Sequence, residues 1–365
     1  MQLLKLRVYH YRNLEQQEIH FSSGTNLFSG LNGQGKTNLL EAIYILGYGR
    51  SFRTAKPKEC IRHGEVECAV EGAIQHRGSS RNLIVLINSN EKELLAYGKP
   101  VQLDEFVGLF HVVVFSSAHL SIVRGGPGER RSFLDRAMVT VFPGHLRLLA
   151  TYGRALKQRN RILAAAKEIS GGLDESLLDS WDETLVLEGS RIVLNRQRYV
   201  QRLKAEVQTG LFGAEVLKIH YLSTVPDQPS SEEIEARFRE RLQAVRAADQ
   251  KSGFTSVGPH RDDLKLYADG KALADYGSGG QQRSCLLALY FAQMEIHRKE
   301  HGFYPVFLVD DVEAELDDRR LRTFLGYLSD RTQTFLTTAK EALVPTLPGP
   351  IHRYEVKAGT VVPCS

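Results

Sequence analysis

Residues 30–37 read Gly-Leu-Asn-Gly-Gln-Gly-Lys-Thr, a complete G-x-x-x-x-G-K-[ST] phosphate-binding loop. No other feature limits the fold so tightly. Gly30, Gly33 and Gly35 can take backbone angles that a side chain would forbid, so the chain can curl until successive N–H groups point at one anion. Lys36 supplies a charge for the β/γ-phosphates, and the Thr37 hydroxyl supplies a magnesium ligand. The flanks match. Residues 24–29 (Gly-Thr-Asn-Leu-Phe-Ser) read as a turn and a short strand. Residues 38–46 read as a helix whose N-terminus faces the phosphates.

The chain has 365 residues, 42% hydrophobic and 25% charged, enough for a packed core and two or three domains. A formal net charge of +4 permits nucleic-acid binding without demanding it. The four cysteines lack zinc-type spacing, and the N-terminus alternates like a strand and has no apolar signal core. No stretch approaches a membrane span. Together these features point to a cytoplasmic chain with reduced thiols. The first ~115 residues are strand-rich. From about Ala118 to Arg246 helical spacing dominates, over His145–Lys167, Glu175–Glu206 and Ser231–Ala248. Strand and helix alternate again after Gly253, with helices expected at about Gln281–Lys299 and Asp318–Leu328. The expected architecture is α/β: a head built from 1–115 and 256–365, with a helical lobe over 116–255.

Val306-Phe307-Leu308-Val309-Asp310-Asp311 is a buried-strand run ending in two carboxylates. Asp310 is placed on the magnesium side, as in Walker B sites, and Asp311 is placed to orient the attacking water. A third signal is Tyr276-Gly277-Ser278-Gly279-Gly280-Gln281-Gln282-Arg283, the Ser-Gly-Gly-Gln signature of ABC-type ATPases, just before a helical pattern. Ser278 and the N–H groups after it make a second anion site at a helix N-terminus. One γ-phosphate does not need two such sites within one chain. The economical explanation is that this one closes over a nucleotide held by another subunit.

These residues resemble the SMC/RecF group of ABC-type ATPases, and within it the RecF branch. The resemblance also rests on residues 11–14 (Tyr-Arg-Asn-Leu), 49–54 (Gly-Arg-Ser-Phe-Arg-Thr), 128–135 (Gly-Glu-Arg-Arg-Ser-Phe-Leu-Asp), 258–263 (Gly-Pro-His-Arg-Asp-Asp) and 310–317 (Asp-Asp-Val-Glu-Ala-Glu-Leu-Asp). These blocks are in family order. Only a few helices separate the nucleotide motifs, where SMC proteins insert long coiled coils. The resemblance implies that Asn32, Gly33, Gln34, Gly35, Lys36, Thr37 and Asn38 hold ATP, with Thr37 and Asp310 on Mg²⁺. It implies that Ser278, Gly279, Gly280 and Gln281 meet the γ-phosphate of a partner's ATP, and that Ala314–Asp317 link the two sites. Arg12 and Asn13 are placed near the nucleotide. The implied function is a repair ATPase whose ATP-dependent homodimer grips duplex DNA near single-strand gaps. RecR and RecO mediators and support of RecA loading come with it.

Three departures from the wider ABC pattern stand out. Asp311 takes the place of the usual Glu, a methylene shorter, which implies slow hydrolysis. No glutamine loop is evident; spacing from Arg130-Arg131 puts its equivalent near Ser116. Thr337 and Thr338 stand where transporters carry a switch His. Basic residues cluster at Arg50, Arg53, Lys56 and Lys58; at Arg124, Arg130, Arg131 and Arg136; at Lys157, Arg159 and Arg161; and at Arg191, Arg196, Arg198, Arg202 and Lys204. Most would be solvated faces; two or three aligned across a dimer would track phosphates. Two other readings share the motifs, an ABC transporter ATPase subunit and the ATPase of an associated nuclease. The first needs neither the 258–263 block nor the basic lobe, and no acid–metal nuclease constellation is evident for the second.

Overall fold

The structure, a computed structural model, describes residues 1–168, 175–207, 216–225, 230–311, 318–329, 331–340 and 350–364. These residues form two compact units. The first joins Met1–Leu120 to the segment beginning at Leu286; the second lies between Ser121 and Cys285. Residues 256–285 thus group with the helical segment.

The first unit holds two sheets. One is antiparallel, in the order β2 (Gln17–His20), β1 (Gln2–Tyr9), β4 (Glu67–His76), β5 (Ser79–Asn88), β6 (Lys92–Ala96) and β7 (Lys99–Pro100). The other runs β15 (Thr360–Pro363), β14 (Ile351–Lys357), β3 (Thr25–Ser29), β13 (Thr334–Thr338), β12 (Val306–Val309) and β8 (Val112–Phe115), with every pairing parallel except β14 with β15. Strands β8, β12 and β13 are buried along their whole length; β8 and β12 read as unbroken apolar runs, as both-face burial favours, while β13 carries three threonines. The helix Lys36–Tyr48 is apolar nearly all round because it packs in the core with residues of both sheets; Leu39, Leu40, Ile43 and Leu46 have no exposed surface. Its approach is close: a Cβ on Gly47 would stand 2.4 Å from Val112 Cγ1, and one on Gly72 2.4 Å from Leu46 Cδ1.

The second unit carries the helices Pro127–Val139, His145–Glu168, Glu175–Glu206 and Ser231–Ser252, with a small antiparallel sheet, β9 (Leu217–Leu222), β10 (Asp263–Ala268) and β11 (Lys271–Ala272). Tyr152, Leu185, Val186, Val193 and Phe238 form its core. Ion pairs are buried in it as well. Arg159, with no exposed surface, donates to Asp182, to Asp249 (2.8 Å) and to Thr255 (3.0 Å). Arg130 forks onto Asp263 at 2.6 and 3.0 Å, and Arg196 onto Asp135 at 3.0 and 2.9 Å. These three arginines, counted above among candidate DNA-facing charges, are therefore internal ties. The helix Gly279–His301 starts in this unit and continues into the first.

Strands β6, β7, β9, β11, β14 and β15 have no counterpart in the sequence reading. Strand β14 matters most, since it flanks the central β3.

Candidate functional site

The phosphate loop runs from the C-terminal end of β3 into the Lys36–Tyr48 helix, as the motif requires. Gly30, Gly33 and Gly35 all have positive φ, at 153°, 81° and 114°. At Gly30 space is also decisive, because a Cβ there would lie 2.3 Å from the Val356 carbonyl oxygen. Lys36 is buried and folds back over the loop, donating Nζ to the Gly30 and Leu31 carbonyls at 2.7 and 3.0 Å. An incoming phosphate competes for that ammonium against neutral acceptors, and the charge-assisted bond is the stronger.

Thr37 Oγ1 donates to Asp310 Oδ1 at 2.9 Å, so strand β12 and the loop meet as the two motifs predict. Thr337 Oγ1 donates to the same oxygen at 2.9 Å and accepts from the Asp311 N–H at 2.9 Å. Thr337 is thus the residue that aligns the acid pair. Asp311 sits at φ 49°, an uncommon angle for a side-chain-bearing residue, consistent with a constrained site. Burial raises the Asp310 carboxyl above the ordinary range, and the Asp311 charge adds to this; the bonds from Thr337 and Thr37 work against it. A divalent cation on Thr37 and Asp310 would remove that cost. Oxygen donors of this kind suit Mg²⁺. Ser116 follows strand β8, whose Phe115 carbonyl accepts the Asp310 N–H at 2.9 Å. Ser116 is itself buried, with an unpartnered hydroxyl.

Around the loop stands a frame that the motifs do not announce. Asn13 donates to the Gly33 carbonyl at 3.1 Å and accepts from Asn38 at 2.6 Å; Arg53 donates to Asn38 Oδ1 at 2.5 Å. Gln34 accepts the Ala358 N–H on its side chain (2.6 Å) and the Gly359 N–H on its carbonyl (2.9 Å). Gly359 fits because a Cβ there would meet the Asn13 carbonyl at 2.0 Å. Glu41, fully buried, is forked by Arg12 at 2.9 and 2.8 Å and bonded by Ser51. Arg12, Asn13, Ser51 and Arg53 belong to blocks quoted above. Gln34 lies inside the motif, but its partners and Glu41 carried no signal beyond their positions.

The signature segment is described by itself, since it lies in the second unit. The Gln281 N–H donates to Ser278 Oγ at 3.2 Å and the Ser278 N–H to Gln281 Oε1 at 2.9 Å, a reciprocal capping box at the start of Gly279–His301. Gln282 is buried, takes a bond from Arg124 and donates to the Leu273 carbonyl at 3.0 Å. Arg124 and Arg283 approach the Cβ position of Gly279 at 3.6 and 3.9 Å, so the helix start lies in a positive field. The 258–263 block is a joint. Asp262, with no exposed surface, accepts from the Thr224 N–H at 2.8 Å and from Tyr221 and Ser223. His260 meets Tyr152 at 2.6 Å. Residues 312–317, which hold the expected linking loop, lie outside the described residues.

A phosphate loop, a Walker B strand on the same parallel sheet and a capped signature helix define the head of an ABC-type P-loop ATPase. Residues 2–359 match the family described as RecF/RecN/SMC N terminal domain. A protein of Exiguobacterium sp. named DNA replication and repair protein RecF is 37% identical over 346 residues, covering 93% of this chain and 92% of that one. The protein of the same name from Geobacillus kaustophilus is 37% identical over 347 residues, covering 93% and 92%. A solved structure of RecF-ATPrS, a recombination mediator protein of the RecFOR pathway, superposes with TM-score 0.92 at 33% identity, covering 100% of this chain and 98% of that one. That of RecF-ATP gives 0.91 at 32%, covering 100% and 97%. An SMC head bound to the C-terminal winged helix of ScpA shares the fold, at TM-score 0.55 and 15% identity. The chain belongs to the RecF/RecN/SMC family, and its resemblance to the RecF branch is borne out over nearly its whole length. Among the described residues no helix is long and apolar enough to cross a membrane.

Proposed function

We propose that this chain is an ATP-dependent DNA-binding protein of recombinational repair. The observation that carries the reading is the presence of two anion-binding arrangements, the phosphate loop and the Ser278-capped helix start, where one γ-phosphate needs only one per chain. ATP held by Gly30 and Asn32–Asn38 of one copy is covered by Ser278–Gln281 of a second, and binding energy realised only in the pair drives dimerisation by mass action. Two exposed apolar side chains flank these half-sites, Leu31 at 75% and Tyr276 at 74% exposure, and a face-to-face dimer would cover them.

Thr37 and Asp310 would hold Mg²⁺, which when bound would neutralise phosphate charge. Lys36 holds the β/γ-phosphates. Asp311 orients the attacking water, and its short side chain makes hydrolysis slow. Hydrolysis removes the bridge and releases the DNA. Arg191, Arg198 and Arg202 lie seven and four residues apart on one exposed face of the Glu175–Glu206 helix, and with Lys157 and Arg161 they are the favoured phosphate-tracking charges. Preference for gapped duplex, partnership with RecR- and RecO-type mediators, support of RecA loading and a cytoplasmic location complete the reading. A transporter subunit is disfavoured, because the relatives quoted above are repair proteins.

The test is molar mass in solution with ADP, with ATP, and with ATP plus gapped duplex. Wild type should double in mass with ATP, and Ser278→Arg should bind ATP but stay monomeric. A wild-type chain that remains monomeric with ATP and DNA refutes the shared site. DNA affinity that stays flat between low and physiological salt refutes the phosphate groove.

A further inference from the structure

Three histidines of the first unit converge away from the nucleotide loop. His111 immediately precedes β8, and His297 and His301 lie four residues apart on the last turns of the Gly279–His301 helix. One ring nitrogen from each lies within 4.8 Å of the other two. His111 and His297 are buried, at 6% and 3% exposure.

The hydrogen bonds fix what the inner nitrogens can do. His111 Nε2 stands 2.7 Å from the Gly108 carbonyl oxygen, and His297 Nδ1 stands 3.0 Å from that of Phe303. A carbonyl oxygen only accepts, so both outer nitrogens carry the proton. In the neutral rings the inner nitrogens, His111 Nδ1 and His297 Nε2, then present bare lone pairs to each other at 2.5 Å. With both outer protons kept, a cation between the two acceptors relieves their contact. A donor N–H held by a backbone carbonyl, with the opposite nitrogen free, is also how metal-binding imidazoles are oriented.

We infer that His111, His297 and His301 form a binding site for a transition-metal dication of the Zn²⁺ type. Three imidazoles with no carboxylate select Zn²⁺, Co²⁺ or Ni²⁺ over Mg²⁺ or Ca²⁺. Tetrahedral zinc–nitrogen bonds of about 2.0 Å hold ligand atoms roughly 3.4 Å apart, so side-chain adjustments of about 1 Å close the site, with water as fourth ligand. Arg77 and Arg81 lie nearby and oppose a cation, so a metal here is held by coordination to the imidazoles rather than by charge. A metal here would staple the end of the signature helix to the strand that leads toward Ser116.

The full-length chain, stripped with chelator and kept in excess Mg²⁺ without nucleotide, is titrated with Co²⁺ and then Zn²⁺. One equivalent of Co²⁺ should give the intense visible bands of a tetrahedral site, and Zn²⁺ should displace it. His301→Ala should lose those bands and weaken Zn²⁺ binding at least tenfold while ATP binding is unchanged. His301→Cys should keep the bands and add a sulfur-to-cobalt charge-transfer band in the near ultraviolet, which no purely structural histidine would produce. No uptake by wild type, or an identical spectrum in His301→Ala, overturns the site and leaves a shared proton as the cation between His111 and His297.

Discussion

The two proposed nucleotide half-sites are held in different ways. The phosphate loop is fixed from outside, by Asn13, by the turn at Ala358–Gly359, by Asp310 and by a backbone approach at Val356. Its partners lie 20 to 326 residues away in the chain. The signature segment is fixed largely from within, by a capping box spanning four residues and by Gln282 bonding to Leu273 nine residues earlier, with the Arg124 bond to Gln282 as a distant tie. A loop tied from several sides is preorganised for its ligand before the ligand arrives. A locally capped helix start is cheap to form, and its box engages the Ser278 and Gln281 N–H groups but not those of Gly279 and Gly280. The contrast suits a pair in which one half binds first and the other joins later.

Several substitutions would break or sharpen this contrast. Lys36→Ala should weaken ATP binding by roughly 100-fold, the scale of losing a charge-assisted bond, and Ser278→Ala should leave monomer affinity unchanged. Calorimetric titration of both variants checks this; equal losses would erase the distinction. Asp310→Asn should lower turnover by roughly 100-fold, the scale of one lost electrostatic contact in the transition state, in a magnesium-dependent phosphate-release assay. The same variant should not lower the melting temperature at neutral pH. The folded chain holds the Asp310 proton more tightly than the unfolded chain does. Its contribution to stability is therefore full below the ordinary carboxylate pKa and falls as pH rises toward the raised value. The uncharged Asn escapes that loss.

Backbone crowding gives effects of similar size. Gly30→Ala meets a carbonyl and should cost about 3 kcal/mol in denaturant unfolding, whereas Gly33→Ala meets nothing within 4 Å and should cost only the ~1–2 kcal/mol of its φ. Arg12→Ala leaves Glu41 buried with Ser51 and Arg53 as its remaining partners, and should cost about 2 kcal/mol. Ser278→Ala removes only a helix cap, about 1 kcal/mol.

What the sequence disclosed followed the same divide. The loop, the β12 acids and the signature were legible because each packs its chemistry into consecutive residues of restrictive type. Asn13, Gln34 with Ala358, and Thr337 were not legible as contacts, because each takes its role from a neighbour on another element: Asn13 from Gly33 and Asn38, Thr337 from Asp310 and Asp311, and Gln34 from Ala358, 324 residues away. Strand β14 (Ile-His-Arg-Tyr-Glu-Val-Lys) was missed because only Tyr354 and Val356 of its side chains are buried, so its apolar signal is short. Arg130, Arg159 and Arg196 read as surface charge because nothing local to them names Asp263, Asp249 or Asp135. The 258–263 block was visible as a family mark, but its work, burying Asp262 among hydroxyls and a backbone N–H, is written only in three dimensions.

The central strand β3 lies between β13 and β14, which are made some 300 residues later. All of that intervening chain must be synthesised before the head's parallel sheet can close. The segment from Ser121 to Cys285 has its own core and can condense while the rest is still being synthesised. The early strands must wait, with their apolar faces uncovered, for their last neighbours. Slow translation of the middle segment would lengthen that exposure, and during it the nascent chain would depend most on chaperones.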